Sequence, residues 1–399
     1  MKSNSTLGLY VHIPFCKHKC DYCDFYSLAH SEEKMDAYTD ALIRHLEEVA
    51  PRADAQKVDT VYFGGGTPSY LGEKRLSKLL KTICKRFHVT SDAEITLECN
   101  PDSAGDVKML KKLHRAGFNR LSLGVQAMED EMLKAVGRIH TVQQVEEAVE
   151  AARHAGFDNL SLDLIYGLPG QSMAAWQETL KAAVALSPEH LSCYGLKVEE
   201  GTPLWAKKDT LTLPDDDAQA DMYFFAVEYL AKEGYAQYEI SNFAKPCYES
   251  RHNLRYWRLQ EYAGFGPGAH SDMGGVRFAY EKDLDSYIAG DLRLSEREEI
   301  DPMERDMEMV MLSLRTADGL DLQDYVRRFR QKADPMERLF EEYEKHGLAQ
   351  RTQTGWRLTP KGFYVSNSII LSLQEAVVQI KQKRMEAAAR GDYRIENLY

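Results

Sequence analysis

The chain has 399 residues, enough for two or three domains at about 150 residues each, and its 28% charged and 44% hydrophobic content is that of a protein folded in water. Acidic side chains outnumber basic ones by 62 to 50, a net charge of −12, which argues against a chain-wide nucleic-acid footprint because phosphate binding needs clustered Lys and Arg. The seven cysteines are an odd number, with three crowded into Cys16, Cys20 and Cys23, so a metal site in a reducing, cytoplasmic compartment is expected rather than a disulfide framework.

In chain order, Met1 to Thr6 is polar and the apolar stretch Leu7 to Phe15 is broken by His12 and Pro14, so no secretory signal is expected. No apolar run reaches the ~20 residues that span a bilayer. Strand-like runs then alternate with helical patterns as far as about residue 200. The strands are Leu7–Ile13, Val58–Phe63, Glu94–Cys99, Arg120–Val125, Asn159–Ile165 and Leu191–Leu196. Between them, Asp36–Val49, Glu73–Phe87, Val107–Ala116, Val142–Ala155 and Met173–Leu186 carry apolar residues at helical spacing. Strand, helix, strand in repetition predicts an α/β fold with a parallel sheet, closed as a barrel or left open. Gly64 to Thr67, Glu98, Asn100, Gln126, Asp163 and Gly167 fall at or just past strand C-terminal ends, where such sheets build their sites.

Past residue 200, Asp215–Lys232 reads as a helix, and Tyr235 to about Ser271 is aromatic, Gly-rich and loop-like. Helices Pro302–Arg315, Leu322–Phe329 and Pro335–His346, then strands Leu348–Arg351 and Gly355–Leu358, predict a winged-helix-like α+β module. Its third helix carries Glu337, Glu341, Glu342 and Glu344, which repels a DNA groove, so a packing or partner role is expected. Ser366–Arg390 is amphipathic, with Ile369, Ile370, Leu373, Val377 and Ile380 on one side. That side is expected to cover the barrel or a second subunit, as in a homodimer. The sharper alternative is a membrane surface, since Lys381, Lys383 and Arg384 follow.

Cys16, Cys20 and Cys23 put three thiols on a loop just after the first strand. Thiolates this dense invite a soft metal or an iron–sulfur cluster. A zinc site would need a fourth ligand, for which His12 and His18 are candidates. Three cysteines with no second Cys pair suit a cubane cluster with one iron open.

The CxxxCxxC spacing resembles the signature of the radical S-adenosylmethionine superfamily. The flanking segments Leu9–Cys16, Phe63–Ser69, Glu98–Pro101, Gly124–Gln126, Gly137–His140 and Asp163–Pro169 sharpen it. They resemble the HemN/HemW branch, which contains oxygen-independent coproporphyrinogen III oxidases and haem chaperones. The resemblance runs over about residues 7 to 370. It implies a partial (β/α)6 radical-SAM TIM-like barrel over 1–290, with a haem-motif segment at 235–271. A HemN C-terminal-like winged-helix domain follows over 300–365, then an amphipathic helix and tail over 366–399.

The implied cofactors are a 4Fe–4S cluster on Cys16, Cys20 and Cys23, and S-adenosylmethionine, whose reductive cleavage yields a 5′-deoxyadenosyl radical once an electron donor feeds the cluster. Tyr10, Tyr22, Gly65, Gly66, Thr67, Glu98, Gln126, Arg138 and Asp163 would bind that cofactor. Gly65 and Gly66 would let backbone approach it, and Arg138 would fork onto its carboxylate.

Position 25 divides the branch. The oxidases resemble CxxxCxxCxC, whereas Phe25 stands here at the additional cysteine position. The chaperone side has this Phe and an H-N-x-x-Y-W motif, supplied here by His252 to Trp257. Taken alone, one His among aromatics reads more often as a core histidine with satisfied partners. The resemblance makes His252 the haem ligand, with Tyr256 and Trp257 as scaffold or porphyrin contacts. A haem chaperone that delivers haem to haem-accepting proteins is therefore implied. The alternative is coproporphyrinogen decarboxylation, so enzymatic activity stays open: the radical machinery is complete, but Phe25 replaces the cysteine.

Overall fold

The computed structural model describes residues 6–390. Six strands carry the first unit: β1 (Thr6–Ile13), β2 (Lys57–Gly65), β3 (His88–Cys99), β4 (Arg120–Gln126), β5 (Leu160–Tyr166) and β6 (His190–Gly195). They are parallel and hydrogen-bonded in sequence order. Helices α1 (Met35–Val49), α2 (Glu73–Arg86), α3 (Val107–Ala116), α4 (Val142–Ala155) and α5 (Met173–Ala185) cross between them. Local chemistry sets these boundaries. Asp106 caps α3 by accepting from the Lys108 and Met109 amides, Thr141 and Gln144 form a capping box on α4, and Gly156 ends α4 with φ +102°.

Along each strand the side chains alternate. Leu9, Val11, Val61, Phe63, Leu97, Leu121, Leu123, Leu162 and Leu164 turn outward and are fully buried against helix residues such as Leu46, Leu80, Leu113 and Leu180. The opposite face carries Tyr10, Thr60, Tyr62, Thr96, Glu98, Arg120, Ser122, Ser161, Asp163, His190 and Ser192, a polar interior.

The arc does not close on itself. Its β1 edge bonds to Tyr262–Phe265 in parallel, and its β6 edge to Asn242–Ala244 antiparallel, so the barrel is partial. The expected loop from Tyr235 to Ser271 thus contains strands and a helix, α6 (Arg251–Trp257). Its sequence hid this because Tyr262–Phe265 and the hairpin His270–Met273 with Val276–Tyr280 are short and Gly-interrupted.

The second unit comprises 237–240, 256–259 and 299–399. Its helices Asp306–Ser313, Leu322–Phe329 and Asp334–Lys345 accompany a three-stranded sheet in the order Leu320–Asp321, Gly355–Leu358, Ala349–Arg351. The expected helix from Pro302 is shorter: Asp301 caps a 3-10 turn over Pro302–Glu304, and the α-helix starts at Asp306. On Ser366–Ala389, Ile369, Ile370, Leu373 and Val377 are buried, and this helix packs on Asp306–Ser313 and Asp334–Lys345. Its apolar side is used within the unit, where Lys381 also reaches the buried Asp306 at 2.8 Å. The side chains of Lys383 and Arg384, and residues 391–399, lie outside the described residues.

Candidate active site at the barrel rim

The cluster loop begins where β1 ends, and β2 shapes it. Gly66 N–H donates to Ile13 O at 2.9 Å and Thr67 N–H to Phe15 O at 2.8 Å, tying the loop to the end of β2. A Cβ on Gly66 would stand 2.8 Å from Phe15 O and 3.0 Å from Cys16 Sγ, and one on Gly65, at φ +113°, 2.6 Å from the His12 ring. Only glycine fits either position. The close approach expected at these glycines is therefore used by the protein's own cysteine loop and by His12.

Cys16 is buried and receives the Thr67 hydroxyl at 3.5 Å, while Arg138 Nη1 lies 3.3 Å from Cys20 Sγ. Burial pushes the Cys23 thiol up to about 11, with Cys20 and Cys16 adding to the rise, so the three sulfurs sense one another. Among the described residues, no three His, Cys, Asp or Glu side chains converge on a point that would hold a single metal ion. His12 is not available as a fourth zinc ligand. Its Nε2–H donates to Tyr26 O at 2.8 Å, which leaves Nδ1 to accept from Tyr10 Oη at 3.0 Å. Three thiols spaced around a loop, with a guanidinium at one of them, fit a cluster whose irons occupy separate corners.

Around this loop the strand ends bring the expected rim together. Glu98 accepts from Tyr62 Oη at 2.7 Å and from Gly65 N–H at 3.1 Å, and burial raises its carboxyl to about 7. Arg138 Nη2 donates to Asn100 Oδ1 at 3.2 Å and to Gly124 O, and Asn100 in turn donates to Thr67 Oγ1 at 3.1 Å. Gly124 is small because a Cβ there would meet Arg138 at 2.7 Å. Gln126 ends β4 at φ +67°, a backbone conformation that costs a side chain energy and clusters at functional sites. Tyr22 lies near Arg138, Cys20 and Cys23, with its phenol raised chiefly by burial. Asp163 is set deeper, held by the hydroxyls of Ser192 (2.7 Å), Ser122 (3.0 Å) and Ser161 (3.4 Å).

His252 does not join the rim. It is 1% exposed, stacks on Tyr62 with ring centroids 5.2 Å apart, and its Nδ1 lies 2.9 Å from Thr60 Oγ1. Its backbone N–H, with that of Arg251, is capped by Glu94 at 2.9 and 3.0 Å. Burial lowers the imidazole to about 3, with Arg255 and Arg120 adding to the fall. It therefore sits as a core histidine in the lower barrel, in the geometry that aromatic-rich surroundings suggest by themselves. Two residues with structural parts at this site carried no assigned role from sequence, Tyr62 and Asn100, and His12 stood only as a candidate zinc ligand. Only Asn100 had a signal, its place just past a strand end.

Residues 10–183 match the Radical SAM superfamily and residues 300–365 match the HemN C-terminal domain. The chain is 35% identical to the heme chaperone HemW of Bacillus subtilis (strain 168) over 368 residues, 90% of this chain and 97% of that protein. It is 41% identical to the heme chaperone HemW of Escherichia coli (strain K12) over 268 residues, 67% of this chain and 70% of that protein. Among solved structures, the coproporphyrinogen III oxidase HemN of Escherichia coli, a radical SAM enzyme, superposes with a TM-score of 0.80 at 26% identity, covering 93% of this chain and 91% of that one. A radical SAM match on the cysteine-bearing barrel, together with HemW relatives aligned over almost their whole length, makes this chain a member of the HemW family of the radical SAM superfamily.

Proposed function

We propose that the chain is a haem chaperone that binds haem and delivers it to haem proteins. The observation that carries this reading is the 35% identity across 97% of a HemW protein, in a chain with Phe25 where the oxidases resemble a further cysteine. Coproporphyrinogen oxidation is the weaker reading on the same ground. The barrel rim would hold a 4Fe–4S cluster on Cys16, Cys20 and Cys23, fed by an electron donor, and S-adenosylmethionine beside it. When bound, that pair supplies one-electron reductive chemistry.

The chain's own residues position these groups. Arg138 holds positive charge beside Cys20 and is placed to fork onto a carboxylate. Glu98, near neutrality in its proton affinity, accepts from Tyr62 and Gly65 and keeps the strand end in register with the loop. His252 is the haem ligand in this reading. Its Nδ1 contact to Thr60 orients the ring as an outer hydrogen bond orients a ligating imidazole. Because His252 is sealed from solvent, haem entry requires α6 to shift from the barrel floor. All seven cysteines are unbridged, which supports a reducing, cytoplasmic setting. Among the described residues no helix is long and apolar enough to cross a membrane.

The test is haem titration of anaerobically reconstituted protein, followed by its optical spectrum, beside a coproporphyrinogen turnover assay on the same sample. Saturable binding that weakens at least tenfold in His252→Ala, without turnover, is the expected result. Turnover without saturable haem binding overturns the reading in favour of the oxidase.

A further inference from the structure

Asn100 follows β3 directly and takes the N-cap position of the short helix Pro101–Ala104. Asparagine there ordinarily turns its side chain onto the helix amides. This one makes no capping bond. The turn is held instead by Ser103, whose N–H and hydroxyl donate to the Asn100 carbonyl at 3.0 and 2.9 Å. The side-chain amide reaches into the rim, and each of its ends meets a residue that touches a cysteine.

Chemistry fixes the direction of each bond. A guanidinium only donates, so Arg138 Nη2 gives a hydrogen to Asn100 Oδ1 at 3.2 Å, and Asn100 Nδ2 is the donor to Thr67 Oγ1 at 3.1 Å. With that lone pair taken, Thr67 aims its own hydrogen at Cys16 Sγ, 3.5 Å away. Arg138 Nη1 stands 3.3 Å from Cys20 Sγ. The result is a bracket from Cys20 through Arg138, Asn100 and Thr67 to Cys16, with one donor at each sulfur and Asn100 at its middle. Backbone anchors both arms: Arg138 donates to Gly124 O, and Thr67 N–H to Phe15 O at 2.8 Å.

Hydrogen bonds to the sulfurs of an iron–sulfur cluster tune its reduction potential. They raise it, because the donors stabilise the added negative charge of the reduced state. A hydroxyl turns about its C–O bond, so its aim at a sulfur depends on what occupies its lone pairs. Asparagine suits the middle of the bracket because it accepts from the arginine and donates to the threonine. A carboxylate of the same shape would accept from both and draw the Thr67 hydrogen off Cys16.

We propose that Asn100 is a positioning residue that, through Thr67 and Arg138, holds a hydrogen-bond donor on Cys16 and on Cys20 and so sets the reduction potential of the cluster on those cysteines. This rests on the cluster reading above and is independent of haem. The experiment reconstitutes the full chain anaerobically without S-adenosylmethionine and follows the cluster by absorbance and electron paramagnetic resonance in a redox titration, with iron and sulfide measured on the same samples. Asn100→Ala and Thr67→Val are each expected to keep wild-type iron. Each should lower the reduced-to-oxidised ratio at the wild-type midpoint at least threefold, or about 28 mV at 59 mV per tenfold for one electron. Thr67→Ser, which restores the hydroxyl, should match wild type. In the Thr67→Val background, Asn100→Ala should add less than it does alone. A wild-type potential in Asn100→Ala at full iron content overturns the proposal, as does full additivity of the two changes. Loss of iron from Asn100→Ala, with Thr67→Val keeping both iron and potential, overturns it too, since Asn100 would then only hold the fold. If wild type itself assembles no cluster, the cluster reading fails, a result distinct from an unmoved potential.

Discussion

The two ends of the barrel are built on the same six strands by opposite means. At the rim, chemistry-bearing groups are held by backbone: glycines let the cysteine loop lie on β2, amides of Gly65, Gly66 and Thr67 do the tethering, and Gln126 accepts an unfavourable φ. At the floor, side chains do the holding. Arg255, 1% exposed, pairs with Asp59 and donates to Thr6 O and Glu261 O, and Glu94 caps α6. The rim stays partly open to solvent, as a cofactor site must, whereas the floor is sealed like a core although it is polar. What the contrast teaches is that polarity inside this barrel does not by itself mark the reactive end. The reactive end is marked by glycine and by backbone strain.

The sharpest way to break that contrast is to empty one end and read the other. Replacing Cys16 by Ala removes one of the three proposed cluster ligands, and iron and sulfide content after anaerobic reconstitution is expected to fall at least tenfold. Haem titration of the same variant is expected to match wild type, because His252 lies on the other side of Tyr62 from the rim. Loss of both together would mean that the two ends are one site.

At the floor, Asp59→Ala removes the carboxylate from the buried Arg255 guanidinium, which keeps its bonds to Thr6 O, Thr6 Oγ1 and Glu261 O. Removing one member of a buried pair costs about 3–5 kcal/mol, and Asp59 is 22% exposed, so a value near the bottom of that range is expected by urea denaturation. At the rim, Gly65→Ala forces a side chain onto φ +113° against His12, with an expected cost of about 1–3 kcal/mol. Its cluster occupancy should fall with it, which Asp59→Ala should not reproduce.

A pH series separates the two ends again. The His252 imidazole falls from its ordinary value of 6.5 to about 3 on folding, so the unfolded chain binds one more proton between those limits. Stability contributed by neutral His252 is therefore complete above pH 6.5 and is lost as pH falls toward 3. Glu98 runs the other way: its carboxyl rises from 4.5 to about 7, so its contribution is present below pH 4.5 and is lost as pH climbs to 7. His252→Asn should flatten the acid-side dependence by about 1.4 kcal/mol per pH unit. Glu98→Gln should remove the opposing slope, and unchanged slopes in both would refute these assignments.

Most of the fold was legible because the helical crossovers repeat with clear periodicity and caps such as Asp106, Thr141 and Gly156 are written in the residues. The cysteine loop and the rim were legible for a related reason: unusual residues stand at successive strand ends. What the sequence did not disclose is tertiary. Tyr262–Phe265 is a four-residue strand whose place beside β1 depends on a partner more than two hundred residues away. Arg120 reads as a strand residue at a turn, and nothing local shows that it lies buried in the barrel within electrostatic reach of Asp163 and Glu98. His252 was singled out as a ligand, while its stacking on Tyr62 and capping by Glu94 are set by elements distant in sequence.

The smallest expected effect concerns Phe25, whose ring is 64% exposed beside the cysteine loop. A side chain in that position contributes little burial, so Phe25→Ala should change stability by less than about 0.5 kcal/mol. Iron content should also stay at the wild-type level, since the Phe25 contacts near the loop run through its backbone: its carbonyl accepts from Lys19 Nζ at 3.0 Å and Ser27 Oγ at 3.4 Å. An exposed aromatic that the fold does not need is then free to act on what approaches the rim. Phe25→Cys restores the residue type that the oxidases resemble, without disturbing the core, and coproporphyrinogen turnover is expected to stay undetectable in it. Turnover appearing with that single change would make position 25 the switch between the two activities of the branch, and the barrel behind it common to both.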